Sequence, residues 1–302
     1  MIIAPALFLD ILLGDPPNRF HPTAWMGNLI SMFTFHRPRE KPALELIHGG
    51  AIVVFGAGLS ALVGNALEYL FDQFPAPFNW LGIALILKST ISFRGLYRAA
   101  AEVQSALEKG DLVEARRLLS WHLVSRDTSQ LDKSKVTAAA IESVAENASD
   151  GIIAPLFFFA VGGLPAALAY RFINTADSML GYRDPAREWL GKIPARFDDI
   201  LNVIPARLAG LFIVLSAPFC GGKVQQAWQI MWRDAGQTAS PNAGVPMSAM
   251  AGALGVELEK VGHYRLGHGL RLPEVADLAC ARRTLICSMG WGIIVTSLIE
   301  VL

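Results

Sequence analysis

Three carboxylates stand at helical spacing just before the most apolar stretch of the chain. The segment "AAAIESVAENASDGIIAPLFFFA" (138–160) carries Glu142, Glu146 and Asp150 at intervals of four residues. Residues four apart share one face of a helix, and like charges there repel by roughly 0.2–0.5 kcal/mol per pair unless something neutralises them. A solvated helix face would explain such a stripe. Its position at the edge of an apolar block instead favours a bound cation or ligand.

A second polar group follows that block. The segment "YRFINTADSMLGYRD" (170–184) places Arg171, Asn174 and Ser178 at helical spacing, with Asp177 beside them. A cation, an amide, a hydroxyl and a carboxylate therefore leave one apolar segment together. The pattern is typical of a binding site or of a polar clasp between helices.

Adjacent acids mark a third group, "ARFDDILNVIPARLAG" (195–210). Asp198 and Asp199 precede Asn202, and Arg196 and Arg207 flank them. Oxygen ligands of this kind suit Mg²⁺, which usually binds together with substrate phosphates. Helix caps and surface ion pairs produce the same letters, so both interpretations stay open.

A fourth group, "WRDAGQTASPNAGVP" (232–246), combines charge with a tight turn. Arg233 and Asp234 precede Ser240 and Asn242, which bracket a proline. Such residues form ordinary turns by bonding their own backbone. The group indicates function only in combination with the other three.

Composition places these groups in a membrane protein. The chain of 302 residues is 53% hydrophobic and 17% charged, whereas soluble domains carry about 25% charged residues. Lysine plus arginine equals aspartate plus glutamate, 26 each, so nothing indicates nucleic-acid binding. The three cysteines lack metal-ligand spacing, and the N-terminus lacks the basic residues of a signal peptide.

The longest apolar runs predict the spans. Residues 46–71 and 78–93 predict a hairpin whose loop lacks lysine and arginine, and 284–302 predicts a final span. Basic residues before and after the hairpin place its tip away from the cytoplasm. Residues 152–173 contain "GGLP", which predicts a re-entrant hairpin or a span broken at its centre, and 208–219 predicts a broken or partly inserted helix.

More polar segments predict helices on the cytoplasmic side. Residues 96–108 and 111–122 read as a helical pair, 132–148 as an alanine-rich helix, and no run alternates like a strand. The expected fold is all-α: one polytopic, membrane-embedded domain over 1–302, with broken or re-entrant helices and cytoplasmic helical insertions at about 94–150 and 222–283.

Residue chemistry alone leaves two functions open. Carboxylates, amides and arginines around broken membrane helices suit a phosphorylated substrate with Mg²⁺, and they suit a transporter with a site between discontinuous helices equally well. A transferase acting on a lipid diphosphate ranks last, because the chain lacks a repeated aspartate-rich motif. The chain also lacks the GxxxxGK[ST] nucleotide loop.

Six motifs in order along the chain resemble the integral-membrane cobinamide-phosphate synthase family of cobalamin biosynthesis. Besides the groups above, the resemblance rests on "LDILLGDPPNRFHP" and "LVSRDTSQLD". It implies ligation of the adenosylcobyric acid carboxylate to aminopropanol or its O-phosphate, with ATP and Mg²⁺. A carboxylate and an amine form only a salt at neutral pH, so the acid must be activated, most simply as an acyl phosphate.

The resemblance also implies a place and a set of residues. The enzyme is expected to be a multi-pass protein of the cell (inner) membrane with its site on the cytoplasmic side, and a homo-oligomer is compatible with this. The expected metal ligands are Glu146, Asp150, Asp198 and Asp199. The expected catalytic residues are Glu142, Glu146, Asp150, Asp177 and Arg126. The expected substrate-binding residues are Asn147, Arg171, Asn174, Ser178, Arg196, Arg207, Arg233, Ser240 and Asn242.

Overall fold

The structure is a computed structural model that describes residues 2–38, 41–181 and 187–301. Over these residues the chain is helical apart from one small hairpin, which confirms the predicted all-α class. Arg39, one of the basic residues before the predicted hairpin, and the end of the second group (182–184) lie outside the described residues. The α-helices are α1 (Ile3–Leu13), α2 (Pro22–Phe35), α3 (Pro42–Asp72), α4 (Phe78–Lys88), α5 (Phe93–Glu108), α6 (Leu112–His122), α7 (Lys133–Ala148), α8 (Ala154–Leu180), α9 (Glu188–Leu201), α10 (Val203–Ser216), α11 (Val224–Asp234), α12 (Gly244–Leu254) and α13 (Val275–Val301). The strands are β1 (Leu258–Lys260) and β2 (Tyr264–Leu266).

Within the described ranges, four helical segments are long and apolar enough to cross a membrane: Pro42–Asp72, Lys133–Leu180, Val203–Cys220 and Val275–Glu300. They include the predicted spans near 46–71 and 284–302. The prediction of a second span at 78–93 is wrong, because α4 has only 11 residues. At 1.5 Å per residue it covers about 16 Å, roughly half of the hydrocarbon core.

The exposed side chains of the long helices fit a bilayer. On α3, the large apolar side chains of Ile47, Val54 and Leu62 are all exposed. In water, an apolar surface of this extent would promote aggregation. The fold is therefore that of a polytopic membrane protein.

Contacts along the chain divide it into two compact units, each discontinuous in sequence. Unit 1 comprises Met1–Ser92, Ala154–Asn202 and Val295–Leu302, and unit 2 comprises Phe93–Ile153 and Val203–Ile294. The single embedded domain and its cytoplasmic insertions stay predictions.

Close helix packing organises unit 1. A β-carbon built on Gly56 of α3 would overlap the buried ring of Phe172 on α8. One built on Gly64 would lie 2.7 Å from backbone atoms of Pro165. Glycine is needed at both positions because the two helices approach too closely for a side chain.

Helix α8 is interrupted within its length, as "GGLP" predicts. Gly162 and Gly163 leave helical geometry, and Gly163 has a φ of 65°. The break frees the backbone N–H of Leu164, which donates a 2.7 Å hydrogen bond to Glu68 Oε1 on α3. A carboxylate placed there caps the second half of α8 at the positive end of its helix dipole.

In unit 2, the helix that carries the carboxylate stripe, α7, matches the predicted range 132–148. Asp132 caps α7 by accepting a 2.9 Å hydrogen bond from the Lys135 N–H. A π-helical turn, Ser149–Ile153, follows α7 directly and contains Asp150 and Gly151. Such turns insert one extra residue and occur frequently at functional sites.

Candidate active site

The stripe of acids does not lie on a solvated helix face. Glu142 is only 5% exposed, and its neighbours along α7 from Val136 to Ala145 are all buried. Glu146 and Asp150 are half-buried. An ionised carboxylate inside a protein needs a cation or hydrogen-bond donors, so the environment of Glu142 decides what the stripe does.

Glu142 faces a cavity of about 240 Å³ within unit 2, here called the Glu142 cavity. One wall is α7, which contributes Glu142 and Glu146, and a second is the loop after α6, which contributes Arg126. The third is the β1–β2 hairpin, which contributes Lys260 and Tyr264. Two acids and two bases thus line one small space.

The charges in the Glu142 cavity are only partly satisfied. Arg126 Nη2 lies 3.6 Å from Glu142 Oε2. Arg126 Nε and Glu142 Oε1 are both buried and have no hydrogen-bond partner among the described residues. Buried polar atoms nearly always have partners, and a buried ion pair is stable only when its remaining donors and acceptors are satisfied. These unsatisfied hydrogen-bonding atoms indicate a site that binds a ligand.

The hairpin supplies two residues of this cavity, Lys260 and Tyr264, that sequence reasoning missed. Lys260 and Tyr264 are paired directly across β1 and β2, so both side chains lie on the same face. Burial raises the pKa of Tyr264, and the negative charges of Glu142 and Glu146 raise it further. The hydroxyl therefore keeps its proton and can donate a hydrogen bond. Strands of three residues are too short for alternation to reveal, although Gly262, with a φ of 77°, is a turn signal.

The next residues along the stripe are held by their own helix. Asn147 Nδ2 donates to the Ser143 backbone oxygen at 2.9 Å. Ser143 Oγ donates in turn to the Leu123 backbone oxygen at 2.8 Å, which ties α7 to the loop that carries Arg126. Asp150 lies in the π-helical turn and does not line the Glu142 cavity.

In unit 1, the second and third groups form one buried network. Asp198 Oδ1 accepts from Asn174 Nδ2 at 3.2 Å, and Asp198 Oδ2 accepts from Asn202 Nδ2 at 2.9 Å. The Tyr170 hydroxyl donates to Asn202 Oδ1 at 3.0 Å, and Arg171 Nη1 donates to Asn174 Oδ1 at 3.4 Å. This arrangement favours the polar clasp between helices considered above.

Asp198 and Asp199 point to different surroundings. Burial raises the pKa of Asp198, and the amide hydrogen bonds oppose that shift. Asp199 instead lies 3.7 Å from the exposed Arg196, three residues earlier on α9. In the described parts of the chain, no three His, Cys, Asp or Glu side chains are grouped to hold a metal ion.

The remaining predicted residues of unit 1 lie on the last turns of α8. Ser178 Oγ donates a 2.9 Å hydrogen bond to the backbone oxygen of Asn174. Asp177 precedes Ser178, and its backbone oxygen accepts from the Gly181 N–H at 2.7 Å. The serine is thus engaged with its own helix.

The fourth group lies in unit 2 and splits into two contacts. Arg207 Nη1 of α10 donates to Asn242 Oδ1 at 2.5 Å, and Ser240 Oγ accepts from the Asn242 N–H at 3.2 Å. Arg233 forms a two-point ion pair with Asp234 at 2.7 and 2.8 Å.

The structure therefore gathers the predicted residues into separate sets. Arg126, Glu142 and Glu146 share the Glu142 cavity of unit 2. Arg171, Asn174 and Asp198 share the buried network of unit 1. The assignment of catalytic, substrate-binding and metal-binding roles to the whole set stays a prediction.

Together, fold and site define a polytopic all-α membrane protein with a mixed-charge cavity in one of its units. A family model described as CobD/Cbib protein matches residues 3–284. The chain belongs to this family, which confirms the resemblance seen in its motifs.

Relatives match the chain over most of its length. A cobalamin biosynthesis protein CobD of Dehalococcoides mccartyi is 45% identical over 93% of this chain and 91% of its own. A probable cobalamin biosynthesis protein CobD of Methanocaldococcus jannaschii is 37% identical, covering 89% and 88%. A cobalamin biosynthesis protein CobD of Citrobacter koseri is 39% identical over 90% of this chain and 85% of its own. No solved structure matches the chain.

Proposed function

We propose that this protein acts in cobalamin biosynthesis as an adenosylcobinamide-phosphate synthase of the cell membrane. The reaction joins the free carboxylate of adenosylcobyric acid to the amine of aminopropanol or its O-phosphate, and ATP is converted to ADP and phosphate. Family membership supports the pathway. The observation that carries the chemistry is the Glu142 cavity, where the buried Glu142 and the partly exposed Arg126 form an ion pair with open hydrogen-bonding positions.

The side chains of the cavity suit amide ligation. A carboxylate such as Glu142 can hold an ammonium group and accept a proton from it as the amine becomes a nucleophile. The guanidinium of Arg126 suits paired oxygens of a carboxylate or phosphate. Burial excludes water, which strengthens these interactions and protects an activated acid from hydrolysis.

ATP and Mg²⁺ would supply the activation, by transfer of a phosphoryl group to the substrate carboxylate. Mg²⁺ in such sites takes one or two carboxylates from the protein and its other ligands from phosphates and water. Glu146 and Asp150 are four residues apart, with Asp150 in the π-helical turn. Their carboxylates would be the one or two protein ligands of the metal. If Glu146→Gln and Asp150→Asn both retain full ATP-dependent amide formation, this metal assignment is wrong.

The alternative is a membrane transporter that binds corrinoids without ligating them. The interrupted α8 favours it, because transporters build substrate sites from discontinuous helices. A transporter binds the corrinoid, turns over no ATP for ligation and forms no amide.

Purified full-length protein incubated with adenosylcobyric acid, aminopropanol phosphate, ATP and Mg²⁺ separates the two functions. Mass spectrometry of the corrinoid should show the amine added with loss of one water. Glu142→Gln should abolish the product, whereas Glu114→Gln, an exposed glutamate paired with Arg117, should leave it unchanged. Corrinoid binding with no coupled product would overturn the synthase in favour of the transporter.

A further inference from the structure

Helix α11 presents two large aromatic side chains on the surface of unit 2. Trp228 and Trp232 are four residues apart on one face and are 43% and 60% exposed. Their indole rings contact each other edge to face, with centroids 5.6 Å apart. Together with the exposed Val224 one turn earlier, they form what we call the tryptophan face. Single apolar residues on a surface are ordinary, whereas a contiguous group of this size marks a contact surface.

The opposite face of α11 is already packed. Ala227, Ile230 and Met231 are buried. A β-carbon built on Gly252 of α12 would lie only 2.7 Å from the Cα atom of Ala227, so the two helices approach closely. Because this packing fixes the rotation of α11 about its axis, the tryptophan face stays on the outside of the unit.

Helix α11 follows directly after a segment that can cross the membrane. That segment, Val203–Cys220, is long and apolar enough to span, and Leu215 and Phe219 are exposed near its end. Gly221, with a φ of 75°, ends it. The four residue steps from Cys220 to Val224 reach at most about 14 Å, so α11 begins beside the headgroup layer of the bilayer. The tryptophan face therefore continues the apolar surface that the span presents to lipid.

The remaining exposed positions of α11 also fit a membrane surface. They are Gln225, Gln229 and Arg233, and they lie about 100° around the helix from the tryptophan face. Asp234, the single acid of α11, is buried, and Lys223 precedes the helix. Tryptophan is enriched where membrane meets water, because its ring is apolar and its N–H can donate a hydrogen bond. The pattern is that of an amphipathic helix lying in the plane of the interface.

We propose that the tryptophan face of α11 binds the boundary between headgroups and acyl chains of the surrounding bilayer. A second copy of the chain does not fit this face, because three side chains are far fewer than the roughly 20–30 residues per side of a stable protein interface. Asp234, the last residue of α11, accepts a 2.6 Å hydrogen bond from the Gly267 N–H just after β2. The lipid contact thus ties the β1–β2 hairpin to the membrane surface, whatever reaction the protein catalyses.

Fluorescence quenching of the full-length protein in lipid nanodiscs tests this placement. The difference in emission between wild type and Trp228→Phe/Trp232→Phe isolates the two indoles, and phenylalanine keeps an apolar ring at both positions. The quenchers are phospholipid brominated on its acyl chains close to the headgroup, and aqueous iodide. The brominated lipid should quench the difference signal several-fold more strongly than iodide. If the double variant does not fold, either single replacement gives the same comparison.

Gln229→Trp is the matched control. Gln229 is exposed on the polar edge of the same helix, so the emission that this variant adds should be quenched more by iodide than by the lipid. Stronger quenching of Trp228 and Trp232 by iodide would overturn the proposal, because their face then contacts water. Quenching by neither agent would overturn it in favour of a protein partner, including a second copy. Equal lipid quenching of the control indole and the native pair would also refute it, because α11 would then have no lipid-facing edge.

Discussion

Asp234 holds the hairpin that carries Lys260, and its replacement is expected to be costly. The side chain is 1% exposed. Oδ1 accepts from Arg233 Nε at 2.7 Å and Gln237 Nε2 at 2.9 Å, and Oδ2 accepts from Arg233 Nη2 at 2.8 Å and the buried Gly267 N–H at 2.6 Å. Gly267 directly follows β2, so this carboxylate joins α11 to the hairpin.

Asp234→Asn keeps the shape but puts an amide donor where Oδ2 now accepts. The Gly267 N–H then loses a charge-assisted hydrogen bond and stays buried without an acceptor, which costs about 1.5–3 kcal/mol. Arg233 is half exposed, so its contribution is discounted to about 0.5–1 kcal/mol. The free energy of unfolding should fall by about 2–4 kcal/mol in total.

Thermal unfolding in detergent measures this loss. A chain of this size shifts by roughly 2–4 °C per kcal/mol, so the variant should melt about 4–16 °C below wild type. The control is Asp132→Asn at the exposed start of α7, because asparagine caps helices as well as aspartate. If the two variants melt within about 2 °C of each other, the four hydrogen bonds of Asp234 do not stabilise the hairpin, and the reasoning is refuted.

The same carboxylate predicts a pH dependence. Burial opposes ionisation of Asp234, but the hydrogen bonds from Arg233 and the Gly267 N–H outweigh it and lower the pKa. A lowered folded-state pKa gives stability that is present above the unfolded value of about 3.9 and is lost as pH falls towards the folded pKa. The melting difference between wild type and Asp234→Asn should therefore be constant from about pH 8 to about pH 5 and shrink below about pH 4. A difference that grows on acidification contradicts this sign.

Two further predictions concern the membrane helices of unit 1. Gly56→Ala should destabilise the protein by about 1–3 kcal/mol because the new methyl overlaps Phe172. The control Gly58→Ala, with open space at its β-carbon in the described structure, should be neutral or gain up to about 1 kcal/mol from helix propensity. Equal melting temperatures of the two variants would show that the close approach is absent. Glu68→Ala should lower the free energy of unfolding by about 1–3 kcal/mol because it leaves the Leu164 N–H without its acceptor, and Glu68→Gln should lower it less, since an acceptor remains. Hydrogen exchange at the break of α8 measures this. Identical exchange in both variants would show that Glu68 does not cap the second half of α8.

Local signals in the sequence predicted many of the helices and the break in α8. Apolar runs predicted α3 and α13 because a spanning segment must present apolar side chains to lipid and satisfy its backbone hydrogen bonds within the helix. The "GGLP" segment predicted the interruption because glycine and proline weaken helices. Asp111 and Asp132 stand at the starts of α6 and α7, and both accept hydrogen bonds from the first turn of their helices. These features depend on residues close together in the chain.

The candidate site was predictable only in part. The spacing of Glu142 and Glu146 predicted that they share one face of α7. It did not predict that Glu142 would be buried or paired with Arg126, which belongs to a preceding loop. The metal-ligand role predicted for Asp198 beside Asp199 stays a prediction, and the sequence did not show that its oxygens would accept from amides on α8 and at the end of α9. Partners 16 to 24 residues away cannot be read from local periodicity.

The sequence by itself determined the class of this protein, its family and the positions of its charged groups, because composition, apolar run length and ordered motifs are properties of the chain. Only the tertiary structure decided which charges meet: Lys260 and Tyr264 reach the Glu142 cavity through a hairpin of three-residue strands, and Glu68 reaches the break in α8 from another helix. The physical reason is that burial and pairing depend on long-range contacts, where a single charge is stable only beside the partner that the fold brings to it.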